Sequence, residues 1–223
     1  MKQKNKILFD FCPHIDYTLY LVTDRSVMSA KSLEQAVEQA IQGGCTVVQL
    51  REKYASSREF FETAQRVKQI TDSYHIPLII NDRTDICLAV NAAGIHIGQQ
   101  DLPAKIVRSM VGPDKIIGVS AATLSEAIQA EQDGADYLGV GAMFATSTKT
   151  NTRPVTIERL TQIKQAVQIP VVAIGGIQSS NVTTLTDTGI DGIAVVSAIL
   201  AQENITHAAE QLKACFTGAG HEV

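Results

Sequence analysis

The stretch Leu78-Ile79-Ile80-Asn81-Asp82-Arg83 decides the fold of this chain. Three branched apolar residues give way at once to an amide, a carboxylate and a guanidinium. A run that is apolar at every position, not at alternate ones, marks a strand covered on both faces, as in a parallel sheet. The same switch recurs on either side. Upstream, Val47-Val48-Gln49-Leu50 opens into Arg51-Glu52-Lys53. Downstream, Gly94-Ile95-His96-Ile97 runs into Gly98-Gln99-Gln100-Asp101, and Ile116-Ile117-Gly118-Val119 ends at Ser120. Tyr137-Leu138-Gly139-Val140 leads to a polar loop holding Thr146-Ser147-Thr148-Lys149. Val171-Val172-Ala173-Ile174 ends in Gly175-Gly176, and Ile193-Ala194-Val195-Val196 ends at Ser197. Parallel strands closed into a barrel bring their carboxyl ends to one rim, where (β/α)8 enzymes build their active sites.

Eight strands are expected, near residues 18–24, 46–51, 78–81, 94–97, 115–120, 137–141, 171–175 and 192–197. Helix signals fall between them. Ser32-x-x-Gln35, Ser56-x-x-Glu59 and Thr123-x-x-Glu126 match the capping box, in which side chains satisfy the free amides of a helix start. Leu33, Val37, Ala40 and Ile41 then share one helical face, and Gly43-Gly44 supplies a stop. Helix exits rhyme at Gly134-Ala135-Asp136 and Gly189-Ile190-Asp191. Strand–helix alternation of this kind predicts a single (β/α)8 TIM barrel over residues 17–217. Residues 1–16 form an N-terminal extension, read as a short helix or arm over the barrel bottom, and 218–223 a C-terminal tail. A doubly wound open sheet is the alternative architecture.

The length of 223 residues is close to the ~250 typical of such a barrel. A net charge of −4 argues against nucleic-acid and membrane-surface roles, which favour basic patches, and leaves anionic small molecules as partners. Cys12, Cys45, Cys87 and Cys215 form no C-x-x-C pair; Cys45 and Cys87 sit in apolar elements and read as buried reduced thiols. No apolar run reaches the ~18 residues of a membrane span, and the first residues lack a signal-peptide core, so a cytoplasmic protein is expected. The N-x-T triplets at Asn181 and Asn204 read as helix starts. A homo-oligomer is compatible with the sequence and not specified by it.

Asp82 and Asp101 close neighbouring strands, which lie about 4.8 Å apart in a sheet. Two carboxylates at that spacing suit Mg²⁺, which takes one or two carboxylates, several waters and a substrate's phosphate oxygens. Each Asp could instead cap the helix that follows. Arg51, Lys53 and Arg83 lie near enough in sequence to attract phosphate. A second anion site is suggested by Gly175-Gly176 and Ser197, after the last two strands, where many barrels bind phosphate. The loop over 142–155 is the longest on the rim, and Thr146, Ser147, Thr148 and Lys149 offer it phosphate-binding groups. A solvated surface loop is the plainer reading of the same residues.

These segments, taken in order over residues 18–200, resemble the thiamine phosphate synthase family. The matching motifs are Gln49-Leu50-Arg51-Glu52-Lys53, Ile80-Asn81-Asp82-Arg83, His96 to Asp101, Gly118-Val119-Ser120 and Asp136 to Gly141. They continue through Thr146 to Lys149, Ala173-Ile174-Gly175-Gly176-Ile177 and Val195-Val196-Ser197-Ala198-Ile199. The resemblance implies a transferase coupling 4-amino-2-methyl-5-(diphosphooxymethyl)pyrimidine to a thiazole phosphate, with release of diphosphate. It implies Mg²⁺ on Asp82 and Asp101. It implies pyrimidine diphosphate on Gln49, Leu50, Arg51, Glu52, Lys53, Asn81, Ser120 and Lys149. The thiazole phosphate would lie on Thr146, Ser147, Thr148, Gly176, Val196 and Ser197, with Lys149, Arg51 and Ser120 as catalytic groups.

The family often carries proline where this chain has Ala142 and Ala145, and an acidic residue near Asn151. Three other functions compete. A thiazole tautomerase on the same fold carries His two residues past the strand-five Ser, where this chain has Ala122. A sugar-phosphate isomerase or epimerase needs a proton-shuttling pair at the rim. His96 is the rim-near histidine, and its place inside a strand reads as structural. A non-catalytic regulator would not be expected to keep both Asp82 and Asp101 together with Lys149.

Overall fold

The computed structural model describes residues 15–146 and 153–218. It contains a closed barrel of eight parallel strands in chain order. The strands are β1 (Leu19–Val22), β2 (Val47–Leu50), β3 (Leu78–Asn81), β4 (Gly94–Ile97), β5 (Ile116–Ala121), β6 (Tyr137–Val140), β7 (Val171–Ile174) and β8 (Gly192–Val195). Closure is by β1 on β8, with Leu21 opposite Val195, while the other edge of β1 sets Leu21 opposite Val48 of β2. The open-sheet alternative is thereby excluded. The surrounding helices are α1 (Leu33–Gln42), α2 (Ser57–Ser73), α3 (Thr84–Ala89), α4 (Ala104–Val111), α5 (Leu124–Gln132), α6 (Ile157–Ala166), α7 (Ser197–Leu200) and α8 (Ile205–Thr217).

Each strand reads as an unbroken apolar run because both of its faces are buried, yet the faces serve two cores. Leu21, Val48, Leu50, Ile80 and Ile95 point outward and pack in the layer shared with the helices. Tyr20, Val47, Ile79, Tyr137 and Val172 point inward and fill the barrel. Side chains alternate across a strand, so neither core could be read from the run itself.

The helix starts follow the capping residues. Ser32 Oγ accepts from the Gln35 amide at 3.1 Å. Ser56 and Glu59 form the full reciprocal box, with amide-to-side-chain distances of 3.3 and 2.8 Å. At Thr123 the box is half made. Thr123 Oγ1 accepts from the Glu126 amide, while the Glu126 carboxylate accepts from the Ala122 amide and from Arg153. The rhyming helix exits share a task. Asp136 accepts from the Ile117 amide and Arg108, and Asp191 from the Val171 amide and Lys164, so each ties its own strand start to the preceding strand.

The seventh repeat departs from expectation. Val182–Thr188 is a 3-10 helix, not an α-helix. Thr184, Thr186 and Thr188 each donate a hydroxyl to the carbonyl three residues back, at 2.6–2.8 Å. Such local bonds compete with the α-helical ladder, and β-branching adds to the disfavour. Asn204 caps α8 as expected, accepting from the His207 amide, but Asn181 makes no side-chain cap bond to the helix it precedes. Its amide instead donates to the Gly176 carbonyl at 3.0 Å. Cys45 and Cys87 are buried free thiols, and burial pushes them up to about 12 and about 11. Cys12, nearly all of the N-terminal extension (1–14) and residues 219–223 of the tail lie outside the described residues. Among the described residues no helix is long and apolar enough to cross a membrane.

Candidate active site at the carboxyl rim

Asp82 and Asp101 come together. Asp82 follows β3, its amide donating to the His96 carbonyl of β4 at 2.9 Å. Its φ of 62° is left-handed, a conformation a short polar side chain tolerates better than most. Asp101 is held by the Gly98 amide, which donates to Oδ2 at 2.7 Å. The two carboxyl groups are hydrogen-bonded to each other, and the Asp82 group is pushed up to about 6. Loss of solvent around the carboxyl is the largest cause, although the residue as a whole is exposed; the charge and hydrogen bond of Asp101 follow. Asn81 and Lys53 work in the opposite direction. Neither Asp caps a helix: those positions fall to Arg83 and Pro103, without side-chain cap bonds.

The chemistry of this pair fits a divalent cation. Two carboxylates forced together repel, which raises the Asp82 group, and a cation between them would relieve that repulsion. Mg²⁺ takes one or two carboxylates and completes its shell with water and phosphate oxygens, a donor set this pair could serve.

Beside the pair, the β2 loop supplies cations. Arg51 donates from its amide to Thr23 Oγ1 at 3.0 Å and from Nη1 to Asp24 Oδ2 at 2.7 Å. Burial alone would raise the Asp24 carboxyl, but bonds from Ser26 and the Arg51 charge hold it below the usual carboxylate range. Glu52 takes Arg25 at 2.6 Å. Lys53 is exposed, and Tyr54 beside it is 99% exposed. A cavity of about 600 Å³ opens beside them, lined by Asp24, Arg51, Glu52, Lys53 and Tyr54 among others. Arg83 is turned elsewhere, bonding Asp85 at 2.5 Å and Ser57 at 2.9 Å. Leu50 packs in the outer core, so only its backbone lies near the rim.

Ser120 and Gln49 face the barrel interior. Gln49 is 4% exposed and donates to the Tyr20 hydroxyl at 2.9 Å. Ser120 Oγ lies 2.9 Å from His96 Nε2, and its carbonyl accepts from Gln99 at 2.7 Å. Sequence reasoning passed over Asp24, Gln99, Tyr20 and Tyr137. Asp24 carried a findable signal, since it follows the first apolar strand as Asp82 follows the third.

The far arc of the rim comes from β6, β7 and β8. Thr146 is described; Ser147, Thr148 and Lys149 lie outside the described residues. The base of their loop is closed by backbone pairing of Ala142 with Arg153 and Val155, both at 2.9 Å. Arg153 also makes two bonds to the Glu126 carboxylate, at 2.6 and 2.9 Å. Gly176, at φ 66°, sits under this loop: a Cβ would lie 2.5 Å from the Ala145 carbonyl oxygen. Val196 is the N-cap of α7 and Ser197 its first residue, directly after β8, the strand paired with β7.

Fold and rim together define a (β/α)8 barrel of the enzyme kind, with an acidic pair and cations gathered at its carboxyl end. The chain belongs to the thiamine monophosphate synthase family, whose model matches residues 19–199. It is 61% identical over 202 residues to the thiamine-phosphate synthase of Ruminiclostridium cellulolyticum, covering 91% of this chain and 96% of that one. Identity to the thiamine-phosphate synthase of Clostridium beijerinckii is 58% over 201 residues, covering 90% and 96%. The solved thiamine phosphate pyrophosphorylase of Pyrococcus furiosus superposes with a TM-score of 0.84 at 38% identity, over 92% of this chain and 98% of that one.

Proposed function

We propose that this chain is a transferase that joins 4-amino-2-methyl-5-(diphosphooxymethyl)pyrimidine to a thiazole phosphate, giving thiamine phosphate and diphosphate, with Mg²⁺ held by Asp82 and Asp101. The observation that carries the reading is the contact between those two carboxylates at the rim of a barrel of this family. Mg²⁺ bound there supplies neutralisation of charge on the diphosphate.

The pyrimidine's methylene carbon–oxygen bond breaks first, its electron pair leaving with diphosphate. The ring stabilises the resulting cation, and the lone pair of the thiazole nitrogen then forms the carbon–nitrogen bond. Negative charge grows on diphosphate as the bond breaks, so donors fixed at that place lower the barrier most. Arg51 and Lys149 have this role, and Asp24 holds the Arg51 guanidinium in position. Lys53 and Asn81 flank the acidic pair. Gln49, Glu52 and the backbone of Leu50 shape the same arc, and Ser120 contacts the pyrimidine diphosphate from β5. Thr146, Ser147, Thr148, Gly176, Val196 and Ser197 take the thiazole phosphate on the opposite arc. The cation must also be shielded from water, a task for a closing loop at the rim. No nucleophilic side chain is required, because the departing bond supplies the electrophile. The subcellular setting consistent with this chemistry is the cytoplasm.

Incubating the protein with both phosphorylated halves and Mg²⁺ should yield thiamine phosphate and diphosphate in equal amounts. Diphosphate without thiamine phosphate would mark a hydrolase instead.

A further inference from the structure

A chain of hydrogen bonds crosses the inside of the barrel and ends at the rim. Gln49 Nε2 donates to Tyr20 Oη at 2.9 Å, and Tyr20 Oη lies 2.8 Å from Tyr137 Oη. Tyr137 Oη lies 2.9 Å from His96 Nδ1, and His96 Nε2 lies 2.9 Å from Ser120 Oγ. Five strands contribute one residue each, and glycines make the room: a Cβ on Gly118 would lie 2.1 Å from the Tyr137 ring, and one on Gly139 2.9 Å from the His96 ring. Such space inside a filled barrel is kept for these two rings.

With the Gln49 amide turned to donate, the chain has one direction that satisfies every buried proton. Tyr20 is 1% exposed and Tyr137 0%. Burial holds both phenols above the usual tyrosine range, so each has a proton to place. Among the described residues the Tyr20 hydroxyl bonds Gln49 and Tyr137, and Gln49 approaches as donor. The Tyr20 proton therefore goes to Tyr137, and the Tyr137 proton to His96 Nδ1. His96 then carries its proton on Nε2 and gives that bond to Ser120 Oγ. With Gln49 donating through Nε2, the reverse order would leave the buried Tyr20 proton without an acceptor, which costs more than any bond it gains.

We propose that Tyr20, Tyr137 and His96 are positioning residues that make Ser120 a hydrogen-bond donor to the pyrimidine diphosphate. Because Oγ accepts from His96, its own proton is turned away from the ring, toward the open rim, and selects a substrate atom with a lone pair. This rests on the assignment of Ser120 to the pyrimidine diphosphate; the direction of the chain does not.

Two measurements test it. Nitrogen-15 NMR of the free protein, with His96 assigned by its loss in His96→Asn, should show a pyrrole-like Nε2 and a pyridine-like Nδ1, and Tyr137→Phe should mix the two forms. A proton on Nδ1 in the wild-type chain overturns the proposal, whether or not the protein makes thiamine phosphate. The second is a double-mutant cycle. Tyr137→Phe should lower kcat/KM for the pyrimidine diphosphate about three- to tenfold, the worth of one neutral hydrogen bond, and leave KM for the thiazole phosphate unchanged. In a Ser120→Ala background it should cost nothing further; an equal loss there shows that Tyr137 does not act through Ser120. If Tyr137→Phe does not fold, the nitrogen-15 spectrum of the wild-type chain decides alone: a proton on Nε2 supports the proposal and one on Nδ1 overturns it.

Discussion

At the scale of single residues, the Asp82–Asp101 pair trades stability for a site. The folded pKa of Asp82 is raised, to about 6 against an ordinary 3.8, so the native state binds more protons than the unfolded chain between those values. Stability of the metal-free protein therefore falls as pH rises from about 4 to about 6 through this group, and the penalty is fully present above. Asp82→Asn removes the repulsion and keeps a residue suited to φ 62°. It should raise Tm of the metal-free protein by a few degrees at pH 7, abolish any Tm rise on adding Mg²⁺, and lose most activity. A lower Tm in the variant would mean that the two carboxylates are not in conflict. Lys149→Ala should reduce turnover on the order of 10²–10³ with a smaller effect on KM, as for a donor that acts mainly on the leaving charge. Near-normal turnover would make its loop a surface feature. The nearness of these carboxylates was legible in the sequence because each follows an apolar run, while Lys149 lies outside the described residues. Tyr20 and Tyr137 were not, since they lie 117 positions apart and inside strands that look uniformly buried.

At the scale of elements, the first residues after β6 are pinned to the loop after β7. Phe144 donates its amide to the Gly175 carbonyl at 3.0 Å, and Gly176 lies under the carbonyls of Phe144 and Ala145. Gly176→Ala thus meets backbone before it meets any anion, and at a left-handed φ. It should destabilise by roughly 1 kcal/mol or more and raise KM for the thiazole phosphate well above its effect on the pyrimidine diphosphate. Asp101→Asn should do the reverse, because the two arcs of the rim stand on different strands and couple weakly. Equal shifts of both constants in both variants would point to one shared anion site. Helix starts were readable wherever a Ser, Thr or Asn stood at the right offset, as at Ser32, Ser56 and Asn204. Between β7 and β8 that logic failed. Val182–Thr188 has the length for two helical turns, but its threonine hydroxyls bond their own backbone and leave a 3-10 helix.

At the scale of the molecule, one principle orders the chain. Strands buried on both faces put their chemistry at their ends, and closure of β1 on β8 turns eight separate ends into one rim. That is why the order of the barrel could be read from runs of four or five residues, while the contents of its interior could not: alternation inside a strand is invisible when both faces are apolar. It also sets the ends of β2 to β5 on one arc of the rim and those of β6 to β8 on the other, the two arcs proposed for the two substrates. The reaction proposed for this rim requires Mg²⁺ held by Asp82 and Asp101, after β3 and β4. The most direct measurement is the initial rate of thiamine phosphate formation from the two phosphorylated halves, before and after excess chelator and again after Mg²⁺ is restored. The rate should fall to background with chelator and return with Mg²⁺. An undiminished rate in chelator would contradict a metal-holding role for the two carboxylates.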